Sequence, residues 1–217
     1  TVFINPCFDD AMLPFEALPQ QKPGAGFSHL QGVNILDLTT SVAGPCATQL
    51  LADFGATVIK VEKRDGGDDA RAWGPPFLNG ESLWFMSMNR NKHSMTLDIA
   101  SEPGRQLLLS LLEKADVLVV NMTPRVQNKL GLSYATLKKQ LPKLIHASLT
   151  GFGLESARRD FPCYDLIAEG YSGIMDLTGE MNTPAQKVGT PAADLLAGYD
   201  LALSIMAALM HRAQTGQ

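Results

Sequence analysis

From about residue 32 onward, short apolar runs alternate with longer stretches of helical pattern. The run "GVNILDLT" is apolar and β-rich, and "GPCATQLLADFG" behind it reads as a helix with Pro45 at a first-turn position and Gly55 at its stop. "ATVIKVE" supplies a second strand, and strand, helix and strand make a βαβ unit, whose crossover requires a parallel sheet. The alternation then repeats. "SEPGRQLLLSLLEKA" is a helix capped by Ser101 and followed by the strand "DVLVVN", and Ser133 caps a helix through Gln140 followed by the strand "KLIHASLTG". Four such strands predict an α/β fold with an open, Rossmann-like, mostly parallel sheet flanked by helices. The last element, from about Pro191 to Arg212, sets Leu195, Tyr199, Ala202, Met206 and Leu209 on one helical face.

In open sheets of this kind ligands bind beyond the carboxyl ends of the strands. The segments "TTSVAGP", "EKRDGGDD", "NMTPR" and "TGFG" are therefore expected to line one crevice. Residues 1–28, rich in Pro, Gly and Gln with no sustained period, are expected to form an extended arm on the surface or on a neighbour. Residues 29–217 then make one ligand-binding domain, and a chain of 217 residues, 45% hydrophobic, suffices for one core.

Charge and cysteine content narrow the partners. A net charge of −4 lacks the basic footprint of a nucleic-acid or anionic-membrane binder, so a small molecule or another protein is expected. Cys7, Cys46 and Cys163 form no C-x-x-C pair, which argues against a disulfide framework or a zinc site and for a reducing, cytoplasmic setting. The N-terminus has no basic segment ahead of an apolar run, so no signal peptide is expected, and Leu195 to Met210, interrupted by Asp200, falls short of a membrane span.

The first βα turn, "TTSVAGPCA", does not complete G-x-G-x-x-G, and no P-loop occurs, so dinucleotide and nucleotidase readings lose their support. Lys60, Lys63, Arg64 and Arg71 surround a strand end and a glycine-rich loop, with Arg90, Lys92, Arg125 and Lys129 near other strand ends. This suits a ligand carrying several phosphates, although Asp65, Asp68 and Asp69 equally fit a self-neutralising surface loop. The four histidines show no metal-ligand spacing, and Cys163 has no basic neighbour to activate its thiol. Asp194 opens the apolar final helix, where a first-turn acid matched to the helix dipole is the ordinary reading of the residue alone.

Four segments in order, "ILDLTTSVAGPCATQLLADFGATVIKVEK", "NRNKHSMTLDI", "KADVLVVNMTP" with "LGL" after it, and "GTPAADLLAGYDLALSIMAAL", resemble the family III CoA-transferases, a family that also includes α-methylacyl-CoA racemases. The resemblance implies an acyl-CoA:carboxylate CoA-transferase with no tightly bound cofactor, whose substrates are an acyl-CoA and a small carboxylic acid. It implies Asp194, with Gly198 four residues on, as the nucleophile that carries CoA as an aspartyl thioester, assisted by amides at the helix start. It implies CoA contacts at Val42, Ala43, Lys63, Leu97, Asp98, Asn121, Met122, Thr123, Lys129 and Tyr164. Lys63 and Lys129 stand where formyl-CoA transferase has arginines, Met122 where an aromatic often packs on adenine, and Val42 where the formyl-CoA branch has glutamine. Racemases need a histidine base in a "GHD"-like motif. Here the run is "CYDL", with Tyr164 at the histidine position, and a phenol is a poor base at neutral pH, so transfer is favoured over a racemase or lyase activity. "GDDARAWGPPF" and "YDLIAEGYSGIMDLTG" look closest to dicarboxylate-using members such as succinyl-CoA-dependent transferases. Family members are longer, continue into a smaller domain, and pair as interlocked homodimers, so a non-catalytic CoA-binding fragment is a further alternative.

Overall fold

The computed structural model describes residues 28–216 together with the backbone of Phe3–Ile4. In chain order its elements are β1 (Phe3–Ile4), β2 (Asn34–Asp37), α1 (Ala43–Asp53), β3 (Thr57–Glu62), a 3-10 turn (Asp69–Ala72), and a hairpin of β4 (Phe77–Leu78) and β5 (Glu81–Ser82). They continue with α2 (Leu83–Asn89), β6 (His93–Thr96), α3 (Glu102–Leu112), β7 (Val117–Val120), α4 (Pro124–Leu130), α5 (Tyr134–Gln140), β8 (Ile145–Ser148), α6 (Asp165–Ser172), α7 (Ile174–Leu177) and α8 (Ala192–Thr215).

Six strands form one sheet in the order β1-β6-β3-β2-β7-β8, every pair parallel. The chain adds β3 and β6 on one side of β2, then crosses to add β7 and β8 on the other. The direction of winding therefore switches between β2 and β7, and the connections leaving those two strands diverge to open a crevice beyond their carboxyl ends. Successive strand residues point to opposite faces. Leu36, Ile59, Leu118 and Val120 pack with Leu108, Leu111 and Leu112 of α3 and Leu137 of α5, while Ile35, Val58, Val117 and Val119 pack with Ala47 and Leu51 of α1 and Leu201, Ile205 and Leu209 of α8. Burial on both faces is why these strands read as continuous apolar runs.

The structure adds β6, which no apolar run announces. Its Ser94 is buried yet satisfied, donating its hydroxyl to Glu62 Oε1 at 2.5 Å. It adds helices over 83–89, 124–130 and 165–172 that the pattern did not predict. Helix α1 starts at Ala43, which places Pro45 third rather than first. Ser101 caps α3 as expected by accepting from Gly104 N, whereas the Ser133 hydroxyl pairs with Thr136 Oγ1 instead of capping a backbone amide of α5.

The seam of α8 also differs. Gly198, Leu201, Ala202, Ile205 and Leu209 are buried, and Tyr199 is exposed. Packing rather than periodicity sets this face. A Cβ on Gly198 would lie 2.7 Å from Ala43 O and 2.9 Å from Cys46 Cβ, so α8 meets α1 at a point where only glycine fits. With 24 residues, α8 is long and apolar enough by length and composition to cross a bilayer, contrary to the shorter span expected from the sequence, but here it lies against α1 and β8. Residues 1–27 of the expected N-terminal arm lie outside the described residues except for Phe3–Ile4, which pairs in parallel with β6 at the sheet edge.

Candidate active site

The turn leaving β2 is held by side chains from four directions. Asp37 Oδ1 accepts from Thr39 N at 2.9 Å, and Lys60 Nζ donates to Thr39 O at 2.7 Å. Asn121, just past β7, accepts from Thr40 N at 3.2 Å and donates to Thr40 O at 2.9 Å, so its amide bridges the switch point. Asp68 Oδ1 accepts from Ser41 N at 3.1 Å and fixes Ser41 at a φ of 71°, a left-handed conformation costly for a residue with a Cβ.

Beneath the turn lies a buried set of ion pairs: Lys92 with Asp37 at 3.1 Å, Lys60 with Asp68 at 2.8 Å, and Arg71 with Glu62 through two hydrogen bonds of 2.7 Å. Charges this deep are tolerable only when paired and hydrogen-bonded. Burial alone would raise the Asp37 pKa, but the nearby Lys92 and Lys60 charges and the Thr39 and Thr48 hydroxyls win and bring it to about 2. Glu62 likewise falls to about 2, because Arg71, Ser94 and the Asp68 amide outweigh its burial. Lys92 is brought down to about 8 by burial, against the pull of Asp37.

Two cavities flank this turn, and Thr40 and Met122 line both. The larger, about 600 Å³, lies over the β3 end and is lined by Lys63, Arg64, Asp65, Gly67, Asp68, Asp69, Leu97 and Asp98 among others. The smaller, about 430 Å³, lies over the β7 and β8 ends between α1, α6 and the start of α8, and Asp194 opens into it.

Asp194 is the third residue of α8, yet it does not cap its helix. Asp165, from the first turn of α6, reaches across and accepts from Ala193 N at 2.9 Å and Asp194 N at 3.2 Å. The Asp194 carboxylate has no hydrogen bond to the described residues. Partial burial, and then the negative charge of Asp165, push its pKa up to about 6. At pH 7 it is mostly ionised but poorly solvated, the state in which a carboxylate is most nucleophilic. The α8 amides expected to assist catalysis are thus already taken by Asp165, while α1 brings its amino end, at Ala43, to the same cavity.

The other expected contact residues divide between the two cavities. Ala43, Asn121, Thr123 and Tyr164 line the Asp194 cavity, Lys63, Leu97 and Asp98 line the larger one, and Met122 lines both. Val42 is buried at the start of α1, and Lys129 is exposed in the last turn of α4; neither lines either of these two cavities. Of the cations expected around the crevice, Lys60, Lys92 and Arg71 are committed to internal ion pairs, Arg90 pairs with Asp53 at 2.5 Å, and the exposed Lys63 pairs with Asp69 at 2.5 Å. Thr40, Ser41 and Thr150 also line the Asp194 cavity, together with Arg159 and Phe161, which sequence reasoning missed. The expected strand ends "TTSVAGP" and "TGFG" carried the first three, but nothing in the pattern brought Arg159 and Phe161 back over the sheet. Among the described residues, no three His, Cys, Asp or Glu side chains gather to hold a metal.

This arrangement, an ionised carboxylate at a helix start above the switch point of a doubly wound sheet, defines a class that comparison with known proteins identifies. The chain belongs to CoA-transferase family III, whose family model matches residues 30–217. It is 41% identical over 206 residues to a succinate–glutarate CoA-transferase of Agrobacterium fabrum, covering 92% of this chain and 50% of that one. It is 42% identical to a succinyl-CoA:mesaconate CoA-transferase of Haloarcula hispanica, covering 87% of this chain and 49% of that one. Among solved structures, a CAIB/BAIF family protein from Brucella suis superposes with a TM-score of 0.83 at 41% identity, over 88% of this chain and 51% of that one. The chain spans about half the length of the curated relatives it matches.

Proposed function

We propose that this protein moves coenzyme A between two carboxylic acids through a covalent intermediate on Asp194. The observation that carries the reading is the Asp194 carboxylate, without a hydrogen bond to the described residues and lining a cavity of about 430 Å³, while Asp165 caps the helix in its place. The carboxylate attacks the acyl-CoA carbonyl, forming a mixed anhydride and releasing the CoA thiolate. The thiolate attacks the aspartyl carbonyl, which expels the first acid and leaves an aspartyl-CoA thioester. The acceptor carboxylate repeats the two steps in reverse order, leaving with CoA and regenerating Asp194. Thioester energy is carried over at every step and no ATP is consumed. Each oxyanion forms near the amino end of α1, whose dipole favours negative charge.

The larger cavity, with Lys63, Leu97 and Asp98, suits the nucleotide end of CoA, and Asn121, Met122, Thr123 and Tyr164 suit the arm leading to the thioester. Relatives named for succinate, glutarate and mesaconate support a dicarboxylate such as succinate as donor. A cytoplasmic setting, expected from the cysteine content, and an interlocked homodimer, implied by the family resemblance, belong to the same reading. A racemase would need a histidine beside Asp194; Tyr164 stands there, and no histidine lines either cavity. The test is mass spectrometry of the full-length protein after incubation with succinyl-CoA, with hydroxylamine trapping. A CoA thioester on Asp194, lost in Asp194→Ala, is expected; full transfer by Asp194→Ala would overturn the assignment.

A further inference from the structure

The Asp194 cavity has an unusual charge inventory. Among the described residues lining it, only Asp194 and Arg159 are charged. Arg159 lies on the loop between β8 and α6, and that loop is pinned at both ends of the segment that carries it. Asp160 Oδ1 accepts from Arg125 N of α4 at 2.8 Å, and Gly151 packs so close to Cys163 that a Cβ there would sit 2.0 Å from the Cys163 Cβ. Between these points Phe152 stacks edge-on against Phe161 at 6.4 Å and Tyr171 at 5.4 Å, and Arg158 covers the Tyr171 ring at 5.0 Å. The neighbouring Arg158 is therefore spent on packing. The Arg159 guanidinium makes no hydrogen bond to the described residues, and its ion pair with Asp160 is long, 3.8 Å from Nε, and solvent-exposed. A planar fork of donors is thus held at the wall of a cavity whose other charge is the nucleophile.

A dicarboxylate in this cavity presents one carboxyl that becomes the neutral thioester and a second that stays anionic throughout. The second needs a cation on the enzyme, and it must not be Asp194's partner, or it would quench the nucleophile. Resting on the reading of Asp194 as nucleophile, we infer that Arg159 receives the distal carboxylate of a dicarboxylic substrate and so selects dicarboxylic over monocarboxylic acids. Arginine matches a carboxylate with two parallel N–H donors, and each such charge-assisted bond outweighs a neutral one.

The test uses Arg159→Ala and Arg159→Lys in the full-length protein, with succinate and butyrate as acceptors and succinyl-CoA and butyryl-CoA as donors. Because Arg159 is exposed, neither change should disturb folding. Arg159→Ala is expected to lower kcat/KM for succinate by about 10–100-fold, the range for a hydrogen bond to a charged group, with butyrate changed less than about threefold and Arg159→Lys partly restoring succinate. Equal losses for succinate and butyrate, or a rise in KM for both acyl-CoA donors alike, would overturn the inference and point to a contact with CoA phosphates. Unchanged selectivity would also overturn it. The mass of the Asp194 adduct separates the two levels. If the unaltered protein forms no adduct with either donor, the nucleophile reading fails; if it forms adducts but Arg159→Ala keeps the same succinyl preference, only the Arg159 role fails.

Discussion

Two groups of carboxylates lie at the same edge of the sheet and are treated in opposite ways. Asp37 and Glu62, deep under the β2 turn, are surrounded by Lys92, Lys60 and Arg71 and held ionised with pKa values near 2 despite burial. Asp194, only partly buried, faces another acid and is raised to about 6. Depth of burial therefore does not set the direction of the shift; the presence or lack of a compensating cation does. The paired acids tie β2, β3 and β6 to the turn that both cavities share, and the uncompensated one is left facing open space.

The sharpest way to break this contrast is to remove the exposed acid. Asp194→Ala should lower turnover by at least about 10⁴-fold, the scale of losing a nucleophile, with far-ultraviolet dichroism unchanged. Steady-state transfer assays would check it. On the buried side, Lys92→Met strands Asp37 without its nearest cation, and the expected cost is about 3–5 kcal/mol in urea unfolding. A loss below about 1 kcal/mol would mean that water or Lys60 compensates Asp37 and that the network is looser than its distances suggest.

The pH dependence sharpens the comparison further. Formation of the Asp194 adduct should rise with pH through about 6, where the carboxylate ionises. Asp165→Asn removes the second cause of that raised value but leaves burial, so the midpoint should move to lower pH without reaching that of a free aspartate. A single-turnover rate profile of both proteins tests this.

The smallest effect is on stability, and its sign differs between the two groups. The folded pKa of Asp194 lies above its ordinary 3.8, so ionisation opposes folding: stability falls as pH rises from about 4 to about 6 and stays lower beyond. Asp194→Asn should therefore melt about 2 °C higher at pH 7.5 and match the unaltered protein near pH 4, solvent access keeping the gain small. Asp37 and Glu62 run the other way. Their folded values near 2 lie below the ordinary 3.8 and 4.5, so their contribution is complete above about pH 4.5 and is lost as pH falls toward 2. Thermal melts of the two proteins from pH 3 to pH 8 separate the two signs.

Much of the fold was legible in the chain itself. Alternating apolar runs identified β2, β3, β7 and β8, and the pattern between them identified α1, α3 and α5, because strands buried on both faces have no choice but to be apolar. The strand β6 escaped because its buried positions include His93 and Ser94, whose polarity is acceptable only beside Glu62 and a neighbouring strand. Asp194 and Gly198 were visible as a pattern, and their spacing has a packing reason: Gly198 lets α8 touch α1, which fixes the first turn of α8 at the cavity mouth.

What the sequence determined by itself is local: which segments extend, which coil, and which ends face the ligand, since hydrophobic period and chain direction are properties of neighbours along the chain. What tertiary structure decided is which charges are spent and which are free. Lys60, Lys92 and Arg71 resemble ligand-binding cations until β3, β6 and the loop after β3 close around their acids, while Arg159 resembles a surface residue until its loop folds back over the sheet. A charge acquires its role from the groups within a few ångströms, and contacts such as Lys92 with Asp37, 55 residues apart, exist only once the chain has folded.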